Sequence, residues 1–164
     1  MVKAVDGVSF SVGAGEIVGL VGESGSGKSV TGFSLMGLVD PPGRIVSGSV
    51  RLEGEELIGL SWDQLRALRG SRIAMVFQDP MATLNPVLTI GTQMRLAIAA
   101  HDQTSNRAAD ARAAEVLTRV GIPEARSRLS AYPHEFSGGM RQRVAIAIAL
   151  LHGSQALVAD EPTT

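Results

Sequence analysis

The sequence predicts an α/β fold with a parallel sheet. Three observations carry that expectation. Short apolar runs at residues 17–21, 72–78 and 156–160 read as buried parallel strands. Stretches with helical apolar spacing separate them. A loop rich in glycine and serine and closed by a lysine lies in "GLVGESGSGKSVTG", residues 19–32, and joins the first run directly to a helical pattern.

The elements follow in order. Residues 8–12 alternate apolar and polar, as a half-buried strand does, and Gly13-Ala14-Gly15 turns the chain. Residues 16–21 are continuously apolar after Glu16 and predict a central strand. The helix after the loop is expected to run to about Val39, stopped by Asp40-Pro41-Pro42-Gly43. Residues 49–53 alternate again, with Val50 and Leu52 on one face. Ser61-Trp62-Asp63-Gln64 is a capping box, Leu60 and Leu65 fit a hydrophobic staple, and Gly70 ends that short helix. A buried strand over residues 72–78 comes next. From residue 88 to 128 the chain is alanine-rich and charged, without a strand signal, which predicts a helical insertion. A further helix over 138–152 leads to the last apolar strand, 156–160. The expected organisation is one domain: 1–87 as phosphate-loop core with a β portion, 88–137 as a helical subdomain, 138–164 as the closing helix and strand.

Chemistry enters with the loop. Gly22-x-x-x-x-Gly27-Lys28-Ser29 has the spacing of a phosphate-cradling P-loop. Its glycines, Gly22, Gly25 and Gly27, let the backbone of Glu23, Ser24 and Ser26 curl so that N–H groups point inward at an anion. The helix start through Val30 adds unsatisfied N–H groups and the positive end of its dipole. Lys28 can reach the β- and γ-phosphates, and the Ser29 hydroxyl can ligate Mg²⁺. A flexible linker would not sit between a buried strand and a helix. The chain is therefore expected to bind a nucleoside triphosphate.

Two further stretches narrow the chemistry. "ALVADE", residues 156–161, is an apolar strand ending in acid, the pattern of a Walker B element. Asp160 can hold Mg²⁺ through water, and Glu161 can orient and deprotonate an attacking water. In "FSGGMRQR", residues 136–143, Ser137 suits an N-cap, and Gly138 and Gly139 leave the following N–H groups open to an anion. One γ-phosphate needs one cradle per chain. The second helix start is therefore expected to face the nucleotide of a partner chain.

Bulk properties set limits on the alternatives. The chain has 164 residues, 45% hydrophobic and 19% charged, with a net charge of −1, so no basic excess points to nucleic acid. Zero cysteines exclude disulfides, thiolate zinc sites and a cysteine nucleophile. No apolar stretch approaches the ~20 residues that span a bilayer. His101, His134 and His152 lack metal-ligand spacing. Arg141 and Arg143 read as a solvated helix face, Trp62 and Tyr132 as packing residues.

The order of Walker A, Gln78, "SGGMRQR" and Walker B resembles the ATP-binding cassette of ABC transporters over nearly the whole chain. "FQDPMATLNP" and "YPHEFSGGMRQRVAIAIAL" look like the dipeptide, oligopeptide and nickel import branch. "LVDPPGRIVSGSV", Met140 and "ADEPTT" resemble one of that branch's two paired ATPase types. The resemblance implies a P-loop ATPase fold with a parallel sheet, an antiparallel β portion and an inserted helical subdomain. It implies an ATP- and Mg²⁺-dependent ATPase at the cytoplasmic face of the membrane. It implies two ATP molecules sandwiched in a head-to-tail dimer with a second, related ATPase subunit. The dimer would drive two membrane-spanning permease subunits, served indirectly by an extracytoplasmic substrate-binding protein, with no nucleic acid involved. Gln78 would contact Mg²⁺ or the attacking water, and Ser137, Gly138, Gly139 and Gln142 would contact nucleotide. The chain departs from the family pattern at both ends. No first strand or adenine-stacking aromatic is evident at Met1-Val2-Lys3-Ala4-Val5, and the dimer-contact loop and switch histidine would lie beyond Thr164. A fragment of a cassette, inactive by itself, is the expectation. A non-transport ABC ATPase and an inert nucleotide-binding fragment stay open as alternatives; the lack of cysteines and sustained heptads argues against DNA-repair and chromosome types.

Overall fold

A computed structural model describes residues 2–79 and 83–162. Pro80, Met81 and Ala82 of the "FQDPMATLNP" stretch, and Met1, Thr163 and Thr164, lie outside the described residues. The chain divides into two compact units, Met1–Ser61 and Trp62–Thr164.

The first unit holds α1 (Lys28–Met36) and a small antiparallel ribbon of β1 (Arg51–Leu52) and β2 (Glu55–Glu56). Helix α1 buries Gly32 and Met36. It ends where Gly37 takes a left-handed conformation at φ 63°, with Leu38 N–H donating to Phe33 O at 2.8 Å. That arrangement closes the helix three residues before Asp40. The ribbon is tied by one carboxylate. Glu56 accepts from the Ser49 hydroxyl, from Val50 N–H at 2.9 Å and from Ile58 N–H at 3.1 Å. Those hydrogen bonds, the Ser49 hydroxyl foremost, hold its carboxyl down at about 2 from an ordinary 4.5.

The strands expected at residues 8–12 and 16–21 are not formed; both stretches are exposed chain without regular secondary structure. Ile17 is 97% and Val21 93% exposed. The physical reason is pairing. A central strand needs ladder partners on both edges, and no described segment pairs with either stretch.

The second unit is a packed α/β assembly. Its elements are α2 (Trp62–Leu68), β3 (Ile73–Val76), α3 (Ile90–Ala99), α4 (Asn106–Arg119), α5 (Ala125–Arg128), a 3-10 turn (Pro133–Glu135), α6 (Gly138–Leu150) and β4 (Ala156–Ala159). β3 and β4 pair in parallel, Ile73 with Ala156 through Val76 with Ala159. The ladder is extended by Ala156 N–H to Arg72 O at 3.1 Å and Asp160 N–H to Val76 O at 3.0 Å. All four β3 residues are buried, whereas β4, expected to be equally buried, alternates half-buried and exposed because no described strand pairs with its other edge.

The helical insertion forms as expected, without a strand. Helix α3 buries Ile90, Met94 and Ile98, four residues apart and so on one face. Helix α4 opposes them with Ala109, Ala113, Val116 and Leu117, whose small alanines let the helices approach closely. Val144, Ala147 and Leu151, from α6 and its C-cap, close the same core. Burying each large side chain contributes roughly 1.5–3 kcal/mol. Caps fix the ends: Thr89 accepts from Thr92 N–H, Ser105 from Ala108 N–H and Ser137 from Met140 N–H, each at 3.3 Å. Polar ties brace the bundle. Arg95 pairs with Asp110 at 2.7 Å, and Arg112 donates to Asp102 and to Leu151 O, which holds the Asp102 carboxyl below its usual range. His152 meets Ala97 O at 3.1 Å and packs edge-on against His101.

Three surface residues differ from expectation. Trp62 is 63% exposed with Arg69 over its ring, because α2 buries none of its residues. Tyr132 is 40% exposed and stacks on His134. Arg143 is not simply solvated: it donates to Gly121 O at 3.0 Å, where the backbone turns at the end of α4. Among the described residues no helix is long and apolar enough to cross a membrane.

Candidate functional site

In the first unit the glycine-rich loop builds a donor-rich cup. Gly25 and Gly27 take positive φ, 80° and 93°, which side-chain-bearing residues rarely adopt. A Cβ on Gly27 would lie 2.4 Å from Ala4 O, a main-chain atom, so that position demands glycine; one on Gly22 would lie 2.6 Å from Ser26 Oγ, a side chain that can turn away. Ser26 N–H closes a turn onto Glu23 O at 3.2 Å. Glu23 and Ser24 are exposed at the tip. Helix α1 has no side-chain cap, and the hydrogen bond that opens it runs from Thr31 N–H to Gly27 O at 2.8 Å. The N–H groups of Lys28, Ser29 and Val30 therefore have no carbonyl above them within the helix. Such an end, with its dipole, accepts an anion.

Lys28 completes the cup. Its ammonium curls back and donates to Gly22 O at 2.8 Å and Glu23 O at 2.9 Å. It is held over the loop by main-chain oxygens and not by a carboxylate. A phosphate has to compete only with two neutral carbonyls for that charge. The residues present fit a phosphate group.

In the second unit the remaining candidates gather at the carboxyl ends of β3 and β4. Because the strands are parallel and in register, Gln78 leaves β3 on the same edge where Asp160 and Glu161 leave β4. Gln78 Nε2 donates to Glu161 Oε2 at 2.6 Å. Glu161 itself has φ 46°, a left-handed conformation uncommon for a non-glycine residue. Asp160 is half-buried beside it, its N–H in the ladder. Among the described residues no three His, Cys, Asp or Glu side chains form a metal-binding group. A Mg²⁺ ion held through one or two protein oxygens, waters and phosphate needs no such group.

Helix α6 starts at Ser137 with its first turn exposed. Nothing lies within 4 Å of a Cβ built on Gly138 or Gly139, so the chain's own packing does not require glycine at either position. Gln142 Nε2 donates to Pro162 O, immediately after Glu161. Sequence reasoning missed that carbonyl. The bond spans twenty residues and joins a helix to a turn, so no local pattern announces it.

A family model described as ABC transporter matches residues 5–164. The chain is 53% identical over 163 residues to a putative peptide import ATP-binding protein of Brucella abortus (strain 2308), covering 99% of this chain and 49% of that protein. It is 49% identical over 162 residues to the dipeptide transport ATP-binding protein DppD of Escherichia coli (strain K12), covering 99% and 50%. The chain thus spans about half the length of the curated relatives it matches. Among solved structures it resembles the dimeric, post-hydrolysis state of the ATP-binding cassette MJ0796 bound to ADP and Pi. There the TM-score is 0.81 at 32% identity, over 94% of this chain and 64% of that one.

Proposed function

The chain belongs to the ABC transporter family, and on that premise we propose that the whole protein is the ATP-hydrolysing subunit of an importer of peptides, with nickel as the alternative cargo. The observation that carries the reading is the phosphate cup, with Gly27 at φ 93° and Lys28 folded over the loop. The printed functions of the relatives, peptide import and dipeptide transport, support the choice of cargo.

In this reading Gly22, Glu23, Ser24, Gly25, Ser26, Gly27 and Val30 present backbone N–H groups to the β- and γ-phosphates of ATP. Lys28 exchanges its two carbonyl partners for phosphate oxygens. Ser29, Gln78 and, through water, Asp160 would hold Mg²⁺, which would supply positive charge against that building on the transferred phosphoryl group. Glu161 accepts the proton of the attacking water. Ser137, Gly138 and Gly139 close over the nucleotide bound by a second, related ATPase subunit; the open space around both glycines supports a close approach from outside the chain. Two permease subunits and, indirectly, an extracytoplasmic substrate-binding protein complete the assembly, with this subunit peripheral at the cytoplasmic face.

The test is made on the whole protein. Lys28→Ala is expected to remove most ATP affinity, measured by equilibrium binding of labelled nucleotide. Glu161→Gln should keep binding and slow hydrolysis by ~10²-fold or more. Unchanged binding in the first variant, or turnover within a few-fold of wild type in the second, overturns the assignment. Co-purification with membrane-spanning subunits supports an importer; co-purification with ribosomes or DNA points to a non-transport ABC ATPase.

A further inference from the structure

Gln142 sits four residues into α6, past the exposed glycines, and its amide nitrogen is bonded to Pro162 O. That carbonyl belongs to the residue directly after Glu161, whose backbone holds φ 46°. A non-glycine residue keeps such a conformation only where its surroundings fix it. Two amides do so from opposite sides: Gln78 on the Glu161 carboxylate at 2.6 Å, and Gln142 on the carbonyl one residue further on. The ladder bond from Asp160 N–H to Val76 O at 3.0 Å fixes the residue before. Residues 160–162 are thereby held at three consecutive points, by β3, by Gln78 and by α6.

We infer that Gln142 is a positioning residue for Glu161: by anchoring the Pro162 carbonyl to α6, it sets the direction of the Glu161 carboxylate and makes no contact with nucleotide. The inference rests on the reading of Glu161 as the base that receives the water's proton. Its geometric half, that Gln142 controls where Glu161 lies, stands without it. A carboxylate displaced by an ångström from the attacking water loses rate without losing nucleotide affinity. Gln142 therefore acts on turnover and leaves binding alone.

The experiment uses the whole protein with Gln142→Glu, close in shape but without the N–H donor, Gln142→Met, which removes the donor without adding charge, and Gln142→Lys, which restores a donor. The first readout needs no ATP. The Gln78 side-chain amide signal in a nucleotide-free ¹⁵N NMR spectrum reports its bond to Glu161. It is expected to move in the Glu and Met variants and to return toward its wild-type position in Gln142→Lys; an unmoved signal in both donor-free variants overturns the inference. The second readout is steady-state hydrolysis of Mg²⁺-ATP. The donor-free variants should lose about 10- to 100-fold in kcat with KM for ATP within about twofold, and Gln142→Lys should recover most of the loss. A raised KM with kcat unchanged means Gln142 touches nucleotide and overturns the inference, as does a kcat within twofold of wild type. If the wild-type protein hydrolyses no ATP, the functional reading fails, and the NMR readout still decides whether Gln142 controls Glu161.

Discussion

Both units of this chain carry apolar runs and treat them differently. In Trp62–Thr164, helices α3, α4 and α6 converge on Met94, Ile98, Ala113, Leu117 and Val144, and parallel β3 is buried throughout. In Met1–Ser61 the described apolar side chains that reach burial are Met36 and Leu57, while Val8, Phe10, Val12, Ile17, Leu20 and Val21 stand exposed. Yet each unit forms candidate-site geometry of its own. The hydrogen bonds that shape the phosphate loop join residues at most six apart, Lys28 to Gly22 being the longest, with Ala4 O packed against Gly27. The Gln78–Glu161 pair joins residues 83 positions apart and exists only because β3 and β4 lie side by side. A site made of near neighbours forms without a core; a site made of distant residues requires one.

Substitutions can break that contrast. The largest effect is expected in the second unit. Met94→Ala removes a fully buried side chain between helices and should cost about 2–5 kcal/mol in denaturant unfolding. If it costs less than a surface change, the bundle is not the stabilising core. Next comes Gly27→Ala, which places a Cβ 2.4 Å from Ala4 O at φ 93°. It should destabilise by more than ~1 kcal/mol and weaken phosphate binding, read together by calorimetry and nucleotide titration. Ser137→Ala, which deletes the α6 cap, is expected to cost ~1 kcal/mol.

The smallest stability effects should lie in the first unit. Ile17→Ser changes a side chain already 97% exposed and should fall within about 0.5 kcal/mol of wild type. A loss above ~1 kcal/mol would show that residues 16–21 are buried in solution, and the contrast between units would vanish. Acid sharpens the same point locally. Glu56 is held at about 2, below its ordinary 4.5. Its contribution to the ribbon is fully present above the unfolded value and is lost as pH falls from there through about 2. NMR titration should show the Val50 and Ile58 amide signals shifting with a midpoint near that lower value. Glu56→Gln should abolish the transition.

How much was legible follows from the range of each interaction. The α/β class, the helical insertion, α1, β3, β4 and α6 could be read from apolar periodicity and from Ser137 at a helix start, because periodicity and caps are properties of neighbouring residues, whereas the end of α1 at Gly37 was placed two residues late. The phosphate loop was legible for the same reason: glycine at Gly25 and Gly27 and lysine at Lys28 state their own geometry. Residues 8–12 and 16–21 were misread as formed strands, because an apolar run specifies a preference for burial but not the partner strand that must take its hydrogen bonds. Trp62 was assigned to packing by residue type, and its helix turned out to bury nothing. The sequence by itself determined the spacing of glycine, lysine and serine in the loop and the two acids that follow the last strand, because both are patterns of neighbouring residues. Only the tertiary structure decided that Gln78 meets Glu161 and that Gln142 meets Pro162 O, since both bonds depend on where β3, β4 and α6 end in space.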